Sequence, residues 1–379
     1  MPKKTKILII TLLTTVIFIL SIGVGCILGS PIQVGQTPGL DVVEQAWFFI
    51  FQDYVDKSKL DSTALSRAAI EGMVEALDDP YTAYVDPEDY KLTMSGFEGK
   101  IDGIGAQVEF KDDQIIIVAP LPDSPAAKAG IRAGDVVLEI DGKSTAGMSS
   151  AEAVLLIRGP KGTPVRLLIL HEGETEPVEI EIIRDEVQLD SVNYEMREDI
   201  AYINITHFSE RTADELAPVL ENITQEGAKG IVLDLRSNPG GILDTVVDVA
   251  SFFLKEGVVV DVVDNQGQHT ASSVKPAGLS IDLPMVVLLD EYSASGSEVL
   301  AGALQDHGRA VLAGTKTFGK GSVNVLLPLT DGSGLYITTA RWLTPNGRLI
   351  EGQGLIPDYE LELTGEDAIQ WAIDYLHSN

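Results

Sequence analysis

The spacing of apolar residues along the chain changes twice, and each change predicts a different kind of structure. Residues 39–79 repeat apolar positions every three to four residues, as on one face of an α-helix. Asp61 and Ser62 are candidate caps for a second helix within this stretch, and Pro80 ends it. The segment after Pro80 is interrupted by prolines and glycine and is predicted to be irregular. We assign residues 39–98, up to the next change of pattern, to an N-terminal arm whose regular part is helical.

The next stretch, residues 99–185, changes to short strands. Its β-branched segments are separated by glycine or proline, which is the pattern of a compact and mostly β module. Five segments predict strands: "GAQVEF", "QIIIVAPL", "GDVVLEIDG", "TPVRLLIL" and "PVEIEIIRD". Two further segments, "SPAAKAG" and "SSAEAVLLIRG", predict short helices.

Residues 186–363 alternate apolar strand segments with amphipathic helices. The runs "GIVLDL" and "PMVVLLD" predict buried strands, and each is followed by a small-residue turn, "SNPGG" or "SASGSE", that leads into a helix. This alternation predicts an α/β layer structure with a largely parallel central sheet. Ligands in such sheets bind where strands end and helices begin, which singles out the two turns. Residues 364–379 predict a C-terminal helix, so the whole chain is expected to be a multidomain α/β protein.

The N-terminus has the composition of a targeting segment. Three lysines precede an uncharged apolar run from Ile7 to Gly29. The run is longer than the ~7–15 residues of a secretory signal and reaches the ~20 residues that span a bilayer. We interpret residues 1–29 as a membrane anchor, with a cleaved signal as the alternative. The lysines would stay inside, so the chain after Ser30 is expected outside the cytoplasm, at the cell surface or in the periplasm.

Charge and cysteine content narrow the class of protein further. The formal net charge is -30, so the protein repels nucleic acid and a nucleic-acid partner is not expected. Cys26 is the only cysteine, which makes an intramolecular disulfide impossible. The chain also lacks a cysteine and histidine cluster of zinc-binding spacing, so no metal site is predicted.

The stretch "GTKTFGKGS" is close to a phosphate-binding loop, with Lys320 in the lysine position. However, Gly321 stands where that loop needs Ser or Thr, and the following segment is strand-like, so a nucleotide site is not predicted. Lys320 has small or apolar neighbours. If burial keeps its amine neutral, it is suited to act as a base. Lys316, between two threonines, is expected to be exposed.

Three serines cluster where the strand "PMVVLLD" meets a helix, namely Ser293, Ser295 and Ser297. The spacing of Ser295 and Glu298 fits a capping box, which needs no further function. The alternative is that one serine is a nucleophile, because a helix N-terminus stabilises the negative charge of an oxyanion. Its base is then a buried lysine or, as a second candidate, His207.

Seven motifs in one order resemble those of the C-terminal processing peptidases, or tail-specific proteases: "GFEGKIDGIGAQV", "LPDSPAAKAGIRAGDVVLEIDG", "VLLIRGPKGTPV", "DLRSNPGGIL", "SASGSEVLAGALQD", "GTKTFGKGSV" and "ARWLTPNGRLIEGQGLIPD". The resemblance covers residues 39–363. It implies a crotonase-like α/β peptidase core and a serine endopeptidase that cleaves near protein C-termini. It also implies that Ser295 is the nucleophile, that Lys320 is the base, and that no cofactor is needed.

The same resemblance implies an oxyanion hole made by the amide of Gly296 with that of Gly240 or Gly241. One position departs from the family pattern, since Asn324 stands where a glutamine usually helps to hold the dyad. Asparagine offers the same donor and acceptor but is one methylene shorter. A catalytically impaired adaptor or chaperone of the same fold is therefore the alternative function. A crotonase-like acyl-transfer or hydratase enzyme is a second alternative.

The β module resembles a PDZ domain, and the residues Gly103, Ile104, Gly105 and Ala106 match its carboxylate-binding loop. In that mode a free protein C-terminus adds as a strand beside the loop. A simple hairpin turn is the alternative. The resemblance also implies that Arg158 takes part in gating the active site, with a surface salt bridge as the alternative. The resemblance further implies a homodimer formed through the helices of residues 39–79, and packing of these helices on their own chain is the alternative.

Overall fold

The computed structural model describes four stretches of the chain, residues 39–111, 114–148, 150–276 and 278–378. The predicted anchor at residues 1–29 lies outside the described residues. Among the helices of the four stretches, none combines the length and the hydropathy that crossing a bilayer requires. The chain forms two compact units that divide after Ile70.

The described chain begins with three helical segments: α1 (Leu40–Asp53), a 3-10 turn (Lys57–Lys59) and α2 (Ser62–Glu75). The carboxylate of Asp61 accepts hydrogen bonds from the amides of Thr63 and Ala64 at 2.8 and 3.2 Å, so Asp61 caps α2 as predicted. No residue of α1 is buried. Its exposed apolar face fits the spacing seen in the sequence.

The segment that follows is regular, and the prediction of irregular structure there is wrong. It contains a short strand, β1 (Ala83–Val85), and a helix, α3 (Pro87–Phe97). Asp86 caps α3 by accepting from two backbone amides at 2.9 Å. Pro87 occupies the first helical position, where the missing N–H costs nothing, so this proline starts a helix instead of breaking one.

The described residues of the β module form eight strands and two short helices: β2 (Lys100–Gly103), β3 (Ala106–Lys111), β4 (Gln114–Pro120), α4 (Pro125–Lys128), β5 (Val136–Ile140), β6 (Lys143–Ser144), α5 (Ser150–Ile157), β7 (Pro164–Leu170), β8 (Val178–Ile183) and β9 (Asp185–Gln188). Its main sheet is antiparallel in the order β3-β4-β5-β7-β8. The strands β2 and β9 pair separately. All five strands predicted from the sequence are present.

The larger core, as far as the structure describes it, has ten strands and four helices: β10 (Val192–Arg197), β11 (Ile200–Ile205), α6 (Thr212–Gln225), β12 (Gly230–Asp234), α7 (Leu243–Phe253), β13 (Val258–Asp264), β14 (His269–Ser273), β15 (Met285–Leu289), α8 (Gly296–Asp306), β16 (Val311–Gly314), β17 (Ser322–Pro328), β18 (Gly334–Leu343), β19 (Tyr359–Glu360) and α9 (Gly365–Ser378). Its central sheet has the order β10-β11-β12-β15-β16-β19, and all pairs from β11 onward are parallel. The predicted parallel α/β sheet is confirmed.

Both faces of the central sheet are covered, which explains why its inner strands are apolar throughout. Successive residues of a strand point to opposite faces. Ile231 and Leu233 of β12 pack in the cluster that contains α6, α7 and α8, whereas Val232 packs in the cluster that contains α9. Strands β12 and β15 are buried along their whole length.

A second sheet, antiparallel, lies outside the central one and includes a strand from the N-terminal region. Its order is β1-β18-β13-β14, with β17 also paired to β18. Ala83 of β1 lies opposite Tyr336 of β18. The chain before the β module therefore forms part of the sheet that carries the segment after Lys320.

One buried arginine joins two elements of the β module. Arg184 is 8% exposed, and its guanidinium donates to the carbonyls of Leu156, Ile157 and Pro164 at 2.7–3.0 Å. These bonds connect the end of α5 to the start of β7. Removing the guanidinium leaves three carbonyls without these donors.

We expect Arg184→Met, which keeps much of the volume but no donor, to lower the free energy of unfolding by about 3 kcal/mol. Arg166→Met is the matched control, because Arg166 is exposed and the ion pair recorded for its guanidinium in the described residues is with Glu181 at the surface. That variant should change stability by less than about 1 kcal/mol. Urea unfolding followed by circular dichroism measures both, and equal midpoints would contradict the role given to Arg184.

Candidate active site

The three clustered serines have different surroundings, and only one of them lines a cleft. Ser293 and Ser297 are fully buried, and their hydroxyls donate to the carbonyls of Leu235 and Asn238, each at 2.9 Å. Ser295 is half-buried and lines the cleft. It lies immediately before α8 with φ of 52°, a value that is uncommon for a residue other than glycine. Sparsely populated conformations of this kind cluster at functional sites.

The cleft beside Ser295 has a volume of about 470 Å³ and mostly apolar walls. Helix α3 contributes Met94 and Phe97, and the opposite wall includes Val299 and Trp342. The remaining walls come from the start of α7 and from β17. The cleft therefore has room for an extended peptide with an apolar side chain next to the serine.

The buried side chain of Asn238 fixes the turn "SNPGG" to the end of β11, and the backbone carbonyl of Asn238 holds the turn against the start of α8. Its amide donates to the carbonyl of Ile205 at 2.7 Å, and its side-chain oxygen accepts from the amide of Gly240 at 2.8 Å. Its own carbonyl accepts from the amide of Ala294 at 3.0 Å. Asn238 lies within the turn that the sequence pattern predicts, but nothing in the local pattern distinguishes this asparagine from an ordinary turn residue.

Gly240 lies against the start of α8 and Gly241 against Phe208, and neither position has room for a side chain. A Cβ at Gly240 would lie 2.6 Å from the amide nitrogen of Gly296, and one at Gly241 would lie 2.0 Å from the carbonyl of Phe208. The N–H of Gly240 is already bonded to Asn238. Within the described residues, no acceptor is recorded for the N–H of Gly241 or of Gly296. These two amides line the cleft beside Ser295 and are suited to bind an oxyanion.

Lys320 lies in the loop between β16 and β17, half-buried, as its apolar neighbours predict. Its ammonium lies 5.0 Å from the ring centroid of Tyr81 and 5.8 Å from that of Tyr336. Burial lowers the pKa of Lys320, while the carboxylates of Glu351 and Asp79 oppose this effect. A neutral amine is thereby more accessible than on a surface lysine.

The two candidate groups are joined through their backbones. Among the hydrogen bonds recorded for the described residues, none connects the hydroxyl of Ser295 to the amine of Lys320. Instead, the carboxylate of Glu298 accepts from the backbone amides of both residues, each at 2.9 Å. It also accepts from the amide of Gly319 at 2.8 Å and from the hydroxyl of Thr317 at 2.5 Å. Glu298 therefore fixes the distance between the start of α8 and the lysine loop.

Glu298 is fully buried, and its environment acts on its pKa in two directions. Burial raises the pKa of this carboxyl, while the four donors that it accepts from lower it. The capping-box spacing singled out this residue in the sequence. The contacts with the lysine loop are not visible there, because they join elements that are separated along the chain.

Asn324 lines the same cleft but bonds to other partners. Its side-chain amide donates to the carbonyl of Tyr81 at 3.0 Å and to the hydroxyl of Thr338 at 2.9 Å. Its side-chain oxygen accepts from the hydroxyl of Ser322 at 3.2 Å. Among the described residues, no hydrogen bond between Asn324 and Lys320 is recorded. The asparagine thus holds the segment at Tyr81 against β17.

The two other candidate bases lie elsewhere. The ring of His207 bonds to the hydroxyl of Thr206 at 3.0 Å, and this histidine is not among the residues that line the cleft. Burial also lowers the pKa of His207. Lys316 is exposed, as predicted. Lys320 is therefore the candidate base that shares an anchoring residue, Glu298, with the serine.

The β module carries a second groove, of about 310 Å³, between β3 and α5. The predicted carboxylate loop, Gly103 to Ala106, forms its end. Gly105 has φ of 69°, and a Cβ there would lie 2.6 Å from the Cβ of Ser124, so the loop requires glycine. Arg158 is exposed at the same groove. No salt bridge of Arg158 is recorded in the described part of the chain.

Three family models match successive segments of the chain, and these segments correspond to the regions described above. The model of peptidase family S41 matches residues 199–361, and a PDZ-domain model matches residues 116–170. The N-terminal-domain model of the activating protease CtpB matches residues 30–89. A PDZ module and a peptidase core are therefore both present.

Individual proteins are similar over most of the chain. A carboxy-terminal-processing protease of Bartonella bacilliformis is 40% identical over 80% of this chain and 70% of its own. The carboxy-terminal processing protease CtpA of Bacillus subtilis is 36% identical over 96% of this chain and 78% of its own. The solved photosystem II D1 C-terminal processing protease is 29% identical with a TM-score of 0.54, covering 88% of this chain and 96% of that one.

We expect Glu298→Gln to lower kcat about tenfold or more, because each carboxylate oxygen accepts from two donors and two of the four donors then face an NH₂ group. The free energy of unfolding should fall by about 2 kcal/mol for the same reason. Glu291→Gln is the control, since Glu291 is exposed and bonds only to Thr315. Peptide hydrolysis and urea unfolding measure the two effects. Equal behaviour of the two variants would show that Glu298 does not hold the site.

Proposed function

The chain belongs to peptidase family S41 and to its carboxy-terminal processing proteases, and we propose that it cleaves proteins near their free C-termini as a serine endopeptidase. In this proposal Ser295 is the nucleophile and Lys320 the general base. The observation that carries the proposal is the buried carboxylate of Glu298, which accepts from the backbone amides of both residues. Membership of the family favours a protease over the adaptor and acyl-transfer alternatives.

The proposed reaction begins with the neutral amine of Lys320, which takes the proton of the Ser295 hydroxyl. The serine oxygen attacks the scissile carbonyl, and the resulting oxyanion accepts from the amides of Gly296 and Gly241. Lys320 then gives its proton to the leaving amine, and the acyl-enzyme forms. Water, deprotonated by the same lysine, attacks the ester and releases the acid product. Gly241 is preferred to Gly240 because the latter amide already donates to Asn238.

The PDZ module supplies the preference for chain ends in this proposal. A free C-terminus would lie in the groove between β3 and α5 as an added strand, with its carboxylate at the loop from Gly103 to Ala106. Val154 and Ile157 line the groove, which favours an apolar last residue. Arg158, exposed at the same groove, is the proposed gating residue.

The remaining assignments extend the same proposal to the domains and the cell. We assign the helical arm to residues 39–98, the PDZ domain to 99–185, the peptidase core to 186–363 and the C-terminal helix to 364–379. Residues 1–29 are the proposed membrane anchor, which places the peptidase outside the cytoplasm. The exposed apolar face of α1 is the proposed contact of a homodimer. Protein and peptide substrates are the other partners.

We expect Ser295→Ala and Lys320→Ala each to lower kcat/KM for a tailed peptide by about a thousandfold or more, since each removes a reacting group. Lys316→Ala, four residues from Lys320 on the same loop, should retain activity. The lysine acts as the neutral amine, so activity should rise with pH through the Lys320 pKa, which burial places below 10.5. Casein hydrolysis by Ser295→Ala at the wild-type rate would remove the proposed nucleophile.

A labelled peptide with an apolar last residue should bind the Ser295→Ala protein at least about tenfold more tightly as a free acid than as a C-terminal amide, since charge-assisted hydrogen bonds to the carboxylate loop are lost in the amide. Fluorescence anisotropy measures the two dissociation constants. The same peptides should show the same ratio in KM with the active enzyme. Equal affinities would contradict carboxylate recognition.

A further inference from the structure

The amine of the proposed base is covered by two aromatic rings from different parts of the chain. Lys320 has its ammonium 5.0 Å from the centroid of the Tyr81 ring and 5.8 Å from that of Tyr336. Tyr336 belongs to β18, and Tyr81 lies just before β1. The pairing of β1 with β18 brings the two rings to the same lysine.

The backbone of Tyr81 is held by two side chains, and Thr82 fixes one of them in turn. Its carbonyl accepts from the amide of Asn324 at 3.0 Å, and its N–H donates to the carboxylate of Asp79 at 3.0 Å. Thr82 donates to the same carboxylate at 2.6 Å and accepts from the amide of Thr338 at 3.1 Å. No hydrogen bond of the Tyr81 phenol is recorded among the described residues. The contribution of this side chain to the site is therefore its ring.

On the basis of the proposed Ser295 and Lys320 dyad, we propose that Tyr81 is a positioning residue for Lys320. Its ring shields the lysine amine from water, and Asn324 keeps the ring in place by binding the Tyr81 carbonyl. Asn324 thus acts on the lysine through Tyr81 and not by a bond of its own. This accounts for an asparagine at this position, because its short amide reaches the Tyr81 carbonyl.

Two opposite effects of the ring on the lysine have to be compared. The negative face of an aromatic ring attracts the ammonium, which raises a lysine pKa by up to about 1.5. Exclusion of water disfavours the ammonium and lowers the pKa by up to about 3–5 for a fully buried lysine. The pKa of Lys320 is lowered, with burial as the main cause. This burial comes from all the groups around the amine, and we assign part of it to the Tyr81 ring, so that shielding is the larger of the ring's two effects in this proposal.

Other charged and titratable groups also act on Lys320 or its neighbours, and none of them is altered when only Tyr81 is replaced. Glu351 and Asp79 raise its pKa, and the carboxylate of Glu298 binds its backbone amide. Tyr336 covers the amine from β18, and Arg341 acts on Asp79. Replacing only the Tyr81 ring leaves all five groups in place. A change in the titration midpoint of Lys320 can then be attributed to the loss of the Tyr81 ring.

The decisive experiment measures how Lys320 titrates, without needing catalysis. In the Ser295→Ala background, a short pulse of acetic anhydride at a series of pH values labels neutral amines. Mass spectrometry then quantifies the peptide that carries Lys320. Lys316, exposed on the same loop, is the internal reference. We expect Tyr81→Ala to raise the Lys320 titration midpoint by about one pH unit. Tyr81→Phe, which keeps the ring, should leave it unchanged.

The active enzyme gives a second reading. For Tyr81→Ala, the acid limb of kcat/KM should move up by the same amount, with an activity loss of about tenfold at pH 7, carried mainly by kcat. Tyr81→Phe should restore the wild-type profile. Asn324→Ala should shift the limb in the same direction, and the double variant Asn324→Ala/Tyr81→Ala should be no worse than Tyr81→Ala alone. Should Tyr81→Ala fail to fold, the Lys320 midpoint of Asn324→Ala, which releases the Tyr81 carbonyl, is compared with that of Tyr81→Phe, which keeps both the ring and this bond. A higher midpoint in Asn324→Ala is then the expected result.

The outcomes separate this inference from the proposed dyad. A Lys320 midpoint that is unchanged or lower in folded Tyr81→Ala overturns the shielding role, whatever the enzyme does. Additive effects of Asn324→Ala and Tyr81→Ala overturn the indirect role of the asparagine. If Ser295→Ala retained full activity, the dyad would be wrong, yet the labelling midpoints would still decide whether Tyr81 shields the lysine.

Discussion

The active-site geometry depends on one buried carboxylate. Glu298 is fully buried and accepts four hydrogen bonds, including those from the backbone amides of Ser295 and Lys320. A buried carboxylate without such donors is strongly unfavourable, so helix α8 and the lysine loop have to stay at the distance that satisfies all four. The side chains of serine and lysine thereby start from fixed backbones, even though no bond between them is recorded in the described residues.

A second constraint is the close packing of the two turns at the ends of β12 and β15. Gly240 and Gly241 approach the start of α8 closely, and Asn238 bonds to both sides of this contact. Parallel neighbouring strands bring these turns to the same edge of the sheet, which is where such folds place their sites. This packing places Ser295 beside the amides of Gly241 and Gly296, for which the described part of the chain records no acceptor.

The segment before the PDZ module contributes to both functional regions. Helix α3 provides Met94 and Phe97 to the wall of the cleft, and β2, which follows it closely, leads to the groove loop at Gly103. Upstream of α3, Tyr81 covers Lys320. A stretch that has little apolar periodicity therefore connects the proposed base, the cleft and the peptide groove along one piece of backbone.

The sequence alone determined what depends on local patterns. Apolar runs and turn residues predict the parallel sheet, the helices on it and the PDZ strands, and family motifs single out Ser295 and Lys320. Helix α3 was missed because Pro87 reads equally as a breaker and as a first helical residue. The surroundings of the three serines, the choice between Gly240 and Gly241, and the contacts of Asn324 with Tyr81 required the tertiary structure. These features depend on contacts between segments that are far apart along the chain. Neither the spacing of residues nor the composition predicts which of those segments come into contact.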